Sequence, residues 1–337
     1  MLEKQSLSSQ SIIDCLNADY GIEVTTLSFL PLGADLNASV YKAKSAGNRL
    51  YFIKLKRGYN HEISIAIANL LQESGLEQVI IPIKTIHGQQ TVRIGDFTLI
   101  VYPFIEGQDG FSRDLTDKQW FILGQALRQV HSTEVPLFIQ NQIRKEDYSS
   151  IRREAVRALI NRFENVSNRD EMALKLLLFV KENEAVIHRL VDRAEQLGQK
   201  LRDRSTQFVL CHADIHGGNV LIDEKNSIYI VDWDEPIMAP KERDLMFIGG
   251  GVTHVWNKPH EEEIFYKGYG ITDVDRAVLA YYRHERIVED IAEYCHELLL
   301  APVSSKDKQE MYKQFISMFE PEDVVDIAFK TDMNLSI

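Results

Sequence analysis

The sequence predicts an α+β protein, with a strand-rich first third and a longer, mainly helical remainder. Three observations carry this expectation. Between Ile22 and Tyr102, short runs rich in Val, Ile, Phe and Tyr alternate with turns. After Gly107, apolar residues recur at helical spacing. Within the helical part lies one strand–loop–hairpin stretch, 208–236, with Asp214, Asn219 and Asp232 at or near its strand ends.

Taken in order, Ser9 caps a first helix on which Ile12, Ile13 and Leu16 recur at helical spacing, and Gly21 ends it. Strands are expected at Ile22–Leu30, Ala38–Lys44 and Leu50–Lys56; the turn between the first two has Gly33 as its only glycine. Lys54 sits in Tyr-Phe-Ile-Lys-Leu-Lys, and an inward lysine on such a strand is costly unless paired. Lys56 follows on the same face, so the pattern leaves both lysines open. A helix over His61–Ser74, closed by Gly75, begins with Glu62. This residue is either a partner for the lysine or a first-turn acid that favours the helix dipole. Ile83–Ile86, Thr91–Ile94 and Phe97–Tyr102 continue the strands, and Val101–Gly107 forms a short linker.

Thr116 then caps a helix whose apolar face includes Trp120, Leu123, Leu127 and Val130, and helical patterns return over 150–163 and 170–204. Arg152, Arg153, Arg157 and Arg162 read as a solvated helix face. Phe208–Leu210 is a buried strand that empties into the loop carrying Asp214 and Asn219. Val220–Ile222 and Ile228–Val231 form a hairpin about the turn Asp223–Ser227, and the second strand ends at Asp232. Gly249-Gly250-Gly251 reads as a turn, because the later glycine of a dinucleotide fingerprint is missing. In the charged helical stretch Tyr281–Ile291, Tyr282, Glu285 or Arg286, and Glu289 lie near one face, which either lines a substrate cleft or meets water; taken alone, the pattern favours water.

At 337 residues, the chain suits one large or two modest domains. A net charge of −12 disfavours a nucleic-acid partner and permits a cationic small substrate. The three cysteines, at 15, 211 and 295, contain no CxxC and fit a reducing compartment. The polar first ten residues lack a signal-peptide pattern, and no apolar run approaches the roughly 18 residues of a membrane span. The expectation is a cytoplasmic monomer with no membrane contact.

Two carboxylates and an amide around one hairpin are what phosphoryl transfer requires. One carboxylate faces an attacking hydroxyl, and the other pair holds magnesium on nucleotide phosphates. The competing reading makes His212, Asp214 and His216 a zinc cluster, which leaves Asn219 and Asp232 idle. Cys211 reads as a buried strand-end residue, with no activating arrangement visible.

The pattern His212-x-Asp214-x-x-x-x-Asn219, followed by Asp232-Trp233 on the next strand, resembles the aminoglycoside phosphotransferase family of the protein-kinase-like fold. Tyr51–Gly58, Trp233–Pro236, Arg243–Val252, Val255–Glu261 and Tyr281–Ala292 are similar to its spectinomycin-modifying branch. The resemblance implies two lobes. A small antiparallel β-sheet lobe over 1–105 binds nucleotide, with a hinge near 102–107; a larger helical lobe over 106–337 carries catalysis and substrate. It implies ATP and magnesium as cofactors and a small cationic antibiotic as substrate. Lys54 would hold the α/β phosphates, steadied by Glu62 and covered by the 31–37 turn, with Tyr102 and Phe104 at the adenine. Asn219 and Asp232 would carry magnesium, Asp214 would orient the hydroxyl, and His212 and Asp244 would hold the loop. Asp234, Glu235, Trp256, Glu289 and Asp290 are candidates for the substrate ammonium groups. Other readings are a metabolic kinase for choline, homoserine or a thiosugar, and a nucleotide-binding regulator without turnover.

Overall fold

The computed structural model describes residues 7–31, 38–58, 61–162, 171–250, 252, 255–300 and 305–333. The 31–37 turn, apart from Pro31, and Gly251 of the glycine run lie outside them. The elements run α1 (Ser9–Tyr20), β1 (Val24–Leu30), β2 (Ala38–Ser45), β3 (Leu50–Arg57), α2 (Glu62–Glu73), β4 (Thr91–Ile94), β5 (Phe97–Pro103) and β6 (Gly107–Asp109). They continue with α3 (Asp117–Ser132), α4 (Leu137–Gln140), β7 (Arg144–Lys145), α5 (Ile151–Arg162), α6 (Glu171–Glu182), α7 (Glu184–Arg202) and β8 (Val209–Cys211). The last are β9 (Val220–Asp223), β10 (Ile228–Ile230), β11 (Ile237–Ala239), α8 (Glu242–Leu245), α9 (Pro259–Tyr269), α10 (Arg276–Leu300), α11 (Ser305–Ser317) and α12 (Val324–Asp332). The expected α+β class holds.

Contacts group the chain into two units: Met1–Asp114 with Thr133–Ile143 and Gly218–Pro236, and Leu115–Ser132 with Arg144–Gly217 and Ile237–Ile337. In the first, five strands form an antiparallel sheet in the order β1-β2-β3-β5-β4. The hydroxyl of Ser8 accepts the Ser11 N–H to cap α1, and Gly21 closes the helix in the left-handed region at φ 65°. Ile12 and Leu16 of this helix pack on Tyr41, Ile53, Leu55, Leu99 and Val101 of the sheet. Strand alternation does the rest on β3. Ile53 and Leu55 are fully buried in that core, and Lys54 and Lys56 project from the opposite face.

Ile83–Ile86, expected as a strand, is not one. The Ile83 N–H donates to Val101 O at 2.7 Å, and the chain then turns. The Thr85 hydroxyl accepts the N–H groups of His87 and Gln89, which favours the turn over a ladder. The hairpin of β9 and β10 is closed by Asp223, whose carboxylate accepts from the N–H groups of Lys225 and Ser227. Strand β6 adds to its other edge.

In the second unit, α10 packs against α5, α7 and α12 around a core that includes Leu190, Val191, Ile287, Val288 and Ile291. The 170–204 pattern is two helices divided at Asn183. Helices α3 and α9 cross at glycines. A Cβ on Gly124 would collide with the Phe265 carbonyl, and one on Gly268 with that of Phe121. A three-stranded sheet runs in the order β7-β11-β8.

Two expectations about charge fail at particular residues: Arg152 is exposed and Arg157 half-buried, as on a solvated face, but Arg153 is not. Arg153 is wholly buried, donating to Glu195 at 2.8 Å, to Glu285, and to the Tyr148 carbonyl at 3.0 Å. Tyr282 is buried, and Glu285 faces Arg153 rather than water. The reason is that α5, α7 and α10 pack together, so the arginines of one helix meet the acids of the others.

Candidate active site

The first unit carries a charge cluster built by β3 and the end of the β9–β10 hairpin. Lys54 Nζ donates to Asp232 Oδ1 at 2.8 Å and to Asp234 Oδ2 at 2.6 Å. Lys56 Nζ donates to the same Asp234 oxygen at 2.6 Å. Two ammonium groups on one strand face thus meet two carboxylates at alternate positions after the hairpin. Burial alone would raise the Asp234 carboxyl, but Lys54 and Lys56 outweigh it and hold it at about 2. Burial would lower the Lys54 ammonium, and Asp232 and Asp234 push it up instead.

Asp232 sits at φ 64°, a backbone region costly for a side-chain-bearing residue and one that recurs at functional sites. The preceding N–H, of Val231, donates to the Asn219 carbonyl at 2.9 Å, so the hairpin mouth brings the backbones of Asn219 and Asp232 together. Asn219 closes the short 3-10 turn Gly217–Asn219 that leads into β9. The side chain of Asp232 is nearly half exposed, at 46%. An amide oxygen and an accessible carboxylate are hard donors, which suits a magnesium ion.

The second unit carries Asp214 on the loop after β8. Arg286 Nη1 of α10 donates to its Oδ1 at 2.7 Å, and His216 Nε2 lies 3.3 Å from its Oδ2. Burial would raise this carboxyl; the His216 hydrogen bond and the Arg286 guanidinium outweigh burial and hold it well below the usual carboxylate range. Asp214 is therefore ionised at neutral pH and is a weak base.

The loop is pinned from below. Asp244, fully buried at the end of α8, accepts the N–H groups of His212 at 2.9 Å and Ala213 at 2.7 Å. Ala213 is held at φ 76°. His131 Nε2 lies 3.0 Å from Asp244, and its Nδ1 lies 2.8 Å from the Tyr269 hydroxyl. A proton on Nε2 lets the imidazole donate to Asp244 and accept from Tyr269. The Asp214 N–H points at His212 Nδ1, 3.3 Å away.

The zinc reading finds no support in this geometry. Among the described residues, the side chains close enough to hold an ion are His131, Cys211 and Asp244, not His212, Asp214 and His216. Burial pushes the Cys211 thiol well above its ordinary value, and Asp244 is already occupied by amides.

Other expected site residues are placed as follows. Glu62 opens α2, and no ion pair joins it to Lys54 among the described residues; the carboxylates of Asp232 and Asp234 stand there instead. Tyr102 is half-buried near the end of β5 and meets Phe52 edge-on, and Lys42 lies 4.2 Å over the Phe104 ring. Asp234 faces the two lysines, which explains its burial without a substrate. Glu235 is exposed. Trp256, expected as an aromatic wall, is only 4% exposed and packs edge-on against Trp120, so it serves as core. Glu289 lies 3.8 Å from Arg152 and 3.9 Å from Arg243, and Asp290 lies 2.9 Å from Arg286.

The family model described as the phosphotransferase enzyme family matches residues 28–282, which takes in Lys54, Asp214, Asn219, Asp232 and Asp244. The chain belongs to that family. The likeness to solved phosphotransferases extends over 97% of the chain. A crystal structure of spectinomycin phosphotransferase, APH(9)-Ia, in complex with ADP and spectinomycin is 49% identical, with a TM-score of 0.91 over 97% of this chain and 99% of that one. The AMP-bound complex of spectinomycin phosphotransferase APH(9)-Ia is 47% identical, with a TM-score of 0.87 over the same shares, 97% and 99%. Protein StrN of Streptomyces griseus is 26% identical over 258 residues, which are 72% of this chain and 77% of that protein.

Sequence reasoning missed Arg286 and His216 as the partners of Asp214, and His131 as the support of Asp244. Arg286 stands 72 residues beyond Asp214, on a helix whose charges resembled a wet surface. His216 was visible only as a metal-ligand candidate, and nothing local marked His131.

Proposed function

We propose that this phosphotransferase transfers the γ-phosphoryl group of ATP to a hydroxyl of spectinomycin, so conferring resistance to that antibiotic. The observation that carries the proposal is the 49% identity, across 97% of the chain, to an enzyme solved with ADP and spectinomycin. Relatives of this fold below 25% identity, a choline kinase and an aminopropanol kinase among them, share the fold alone and favour no other acceptor.

The residues divide the work by unit. In the first, Lys54 holds the α/β phosphates and exchanges its carboxylate partners for phosphate oxygens. Lys56 keeps Asp234 neutralised, and backbone groups of 102–107 hold adenine. Asn219 and Asp232 would hold magnesium, which when bound neutralises charge on the phosphates. In the second, Asp214 accepts a hydrogen bond from the acceptor hydroxyl. As the acceptor oxygen bonds to the γ-phosphorus, the bond from that phosphorus to the ADP oxygen breaks, and the hydroxyl proton passes to Asp214. A loose transition state needs positioning and charge neutralisation more than base strength, which suits a carboxylate held this far ionised. Spectinomycin carries two secondary amines; Glu235 and Glu289 are the carboxylates we assign to them, Asp290 being turned to Arg286. We place the reaction on a single chain in the cytoplasm, where ATP is supplied and three buried free thiols persist. Among the described residues, no helix is long and apolar enough to cross a membrane.

The test is ATP consumption by the purified protein with magnesium, given spectinomycin, kanamycin, choline, homoserine or no acceptor. Turnover with spectinomycin alone is expected. Turnover with a different acceptor, and none with spectinomycin, would remove the substrate assignment and keep the family.

A further inference from the structure

We infer that Arg286 is the positioning residue of Asp214, and that Asp290 holds Arg286 in the required orientation. The inference deepens the proposed function and rests on the reading of Asp214 as the hydroxyl-facing carboxylate.

The geometry is a line of three charges. Arg286 leaves α10 and reaches Asp214 Oδ1 through Nη1 at 2.7 Å, while its Nε lies 2.9 Å from Asp290 Oδ1. Phe247 lies beneath the guanidinium, with its ring centre 5.7 Å from the guanidinium carbon. Arg286, Asp290 and Phe247 line one cavity of the second unit, together with Ile287 and Tyr294. A guanidinium is a rigid planar fork that can address two carboxylates in fixed directions, and an ammonium is a point charge. Asp290 lies one helical turn beyond Arg286, and its carboxylate stands beside Nε as an ion pair without hydrogen-bond alignment, so it anchors the guanidinium by charge and proximity. The short contact immobilises Oδ1 of Asp214. The longer contact from His216, on Oδ2, is the one an acceptor hydroxyl can replace.

Among the described residues, the titratable and charged groups near Asp214 include His212 and His216 from its own loop and Arg286 and Asp290 from α10, with Glu289 beside Arg286 and Asp244 of α8, backed by His131 of α3, holding the loop. Arg286 reaches Asp214 from outside the loop as a permanent cation. Its removal therefore raises the pH at which Asp214 loses its proton, which the pH dependence of kcat reports.

The experiment compares wild type with Arg286→Met, Arg286→Lys and Asp290→Asn. It measures kcat and KM for ATP and spectinomycin, and slow ATP hydrolysis without acceptor, from pH 4 to 9. Arg286→Met should lower kcat about 100-fold with little change in KM for ATP, in line with loss of a positioned acid–base group, and should bring into this range an acid limb that wild type, with Asp214 held well below the usual carboxylate range, does not show. Arg286→Lys keeps the charge, so the limb stays below the range while kcat falls about tenfold, because an ammonium cannot span both carboxylates. Asp290→Asn should lower kcat less and leave the limb below the range. Wild-type kcat in Arg286→Met overturns the inference, as does a fallen kcat with no acid limb in that variant. If melting shows Arg286→Met unfolded, wild-type kinetics in both other variants overturn it. Absence of spectinomycin turnover by wild type overturns the substrate assignment instead, and ATP hydrolysis without acceptor still reads the role of Arg286.

Discussion

Asp214 and Asp232 are both ionisable carboxylates near strand ends, yet their surroundings assign them different work. Asp214 is held by a guanidinium and an imidazole and pinned through its loop by Asp244. Asp232 is accessible and faces Lys54. Asp214→Ala is accordingly expected to lower turnover by about 10²- to 10⁴-fold and to leave ATP affinity nearly unchanged. Calorimetric ATP binding beside steady-state rates separates the two effects, and wild-type turnover would remove Asp214 from the reaction. Asp232→Ala should show the reverse emphasis: nucleotide affinity should lose its dependence on magnesium, measured by titration with and without the ion. Asp214, Asn219 and Asp232 were legible in the sequence because the strand, loop and hairpin that carry them are contiguous. Arg286 was not, because a contact 72 residues away leaves no local spacing to read.

At the scale of elements, the three-helix contact of α5, α7 and α10 decides what a charged face means. Arg153 is buried between Glu195 and Glu285, and truncating one partner of a buried ion network leaves uncompensated charge. Arg153→Met should destabilise the protein by about 3–5 kcal/mol, read as a large fall in the denaturant midpoint. An unchanged midpoint would mean that the face is as solvated as its sequence suggests. Gly268→Ala should also destabilise, because the added methyl meets the Phe121 carbonyl and forces α3 away from α9; overpacking of this kind costs about 1–3 kcal/mol. The helices themselves were legible from apolar spacing. The break at Asn183 and the burial of Arg153 were not, since a row of arginines spaces identically whether it meets water or the acids of another helix.

At the scale of the molecule, several carboxylates are held ionised by cations, and this sets a response to acid. Asp234 titrates at about 2 when folded, against about 3.9 in an unfolded chain. Its folded value is depressed, so its contribution is present above about pH 4 and is lost as pH falls through 2. A shift of this size corresponds to stability on the order of 2 kcal/mol. Asp214 and Asp244 shift in the same direction. The melting temperature of wild type should therefore fall steeply between pH 4 and 2. Asp234→Asn should be less stable at pH 6 and show a shallower fall; parallel curves would deny Asp234 any part in the acid response.

The sequence by itself determined the α+β class, most of the first sheet's strands and several of the helices, the face of β3 that carries Lys54 and Lys56, and the hairpin that presents Asn219 and Asp232. All of these follow from periodicity and turn chemistry, which act over a few residues. Only the tertiary structure decided that Asp234 is shared by two lysines, that Trp256 is core, that Glu62 stands apart from Lys54, and that Arg286 and Asp290 stand behind Asp214. Most of these turn on contacts between segments far apart in the chain: Lys54 with Asp234, Trp120 with Trp256, and Asp214 with Arg286. Packing selects such pairs, because a buried charge must find its counterion wherever the fold brings one.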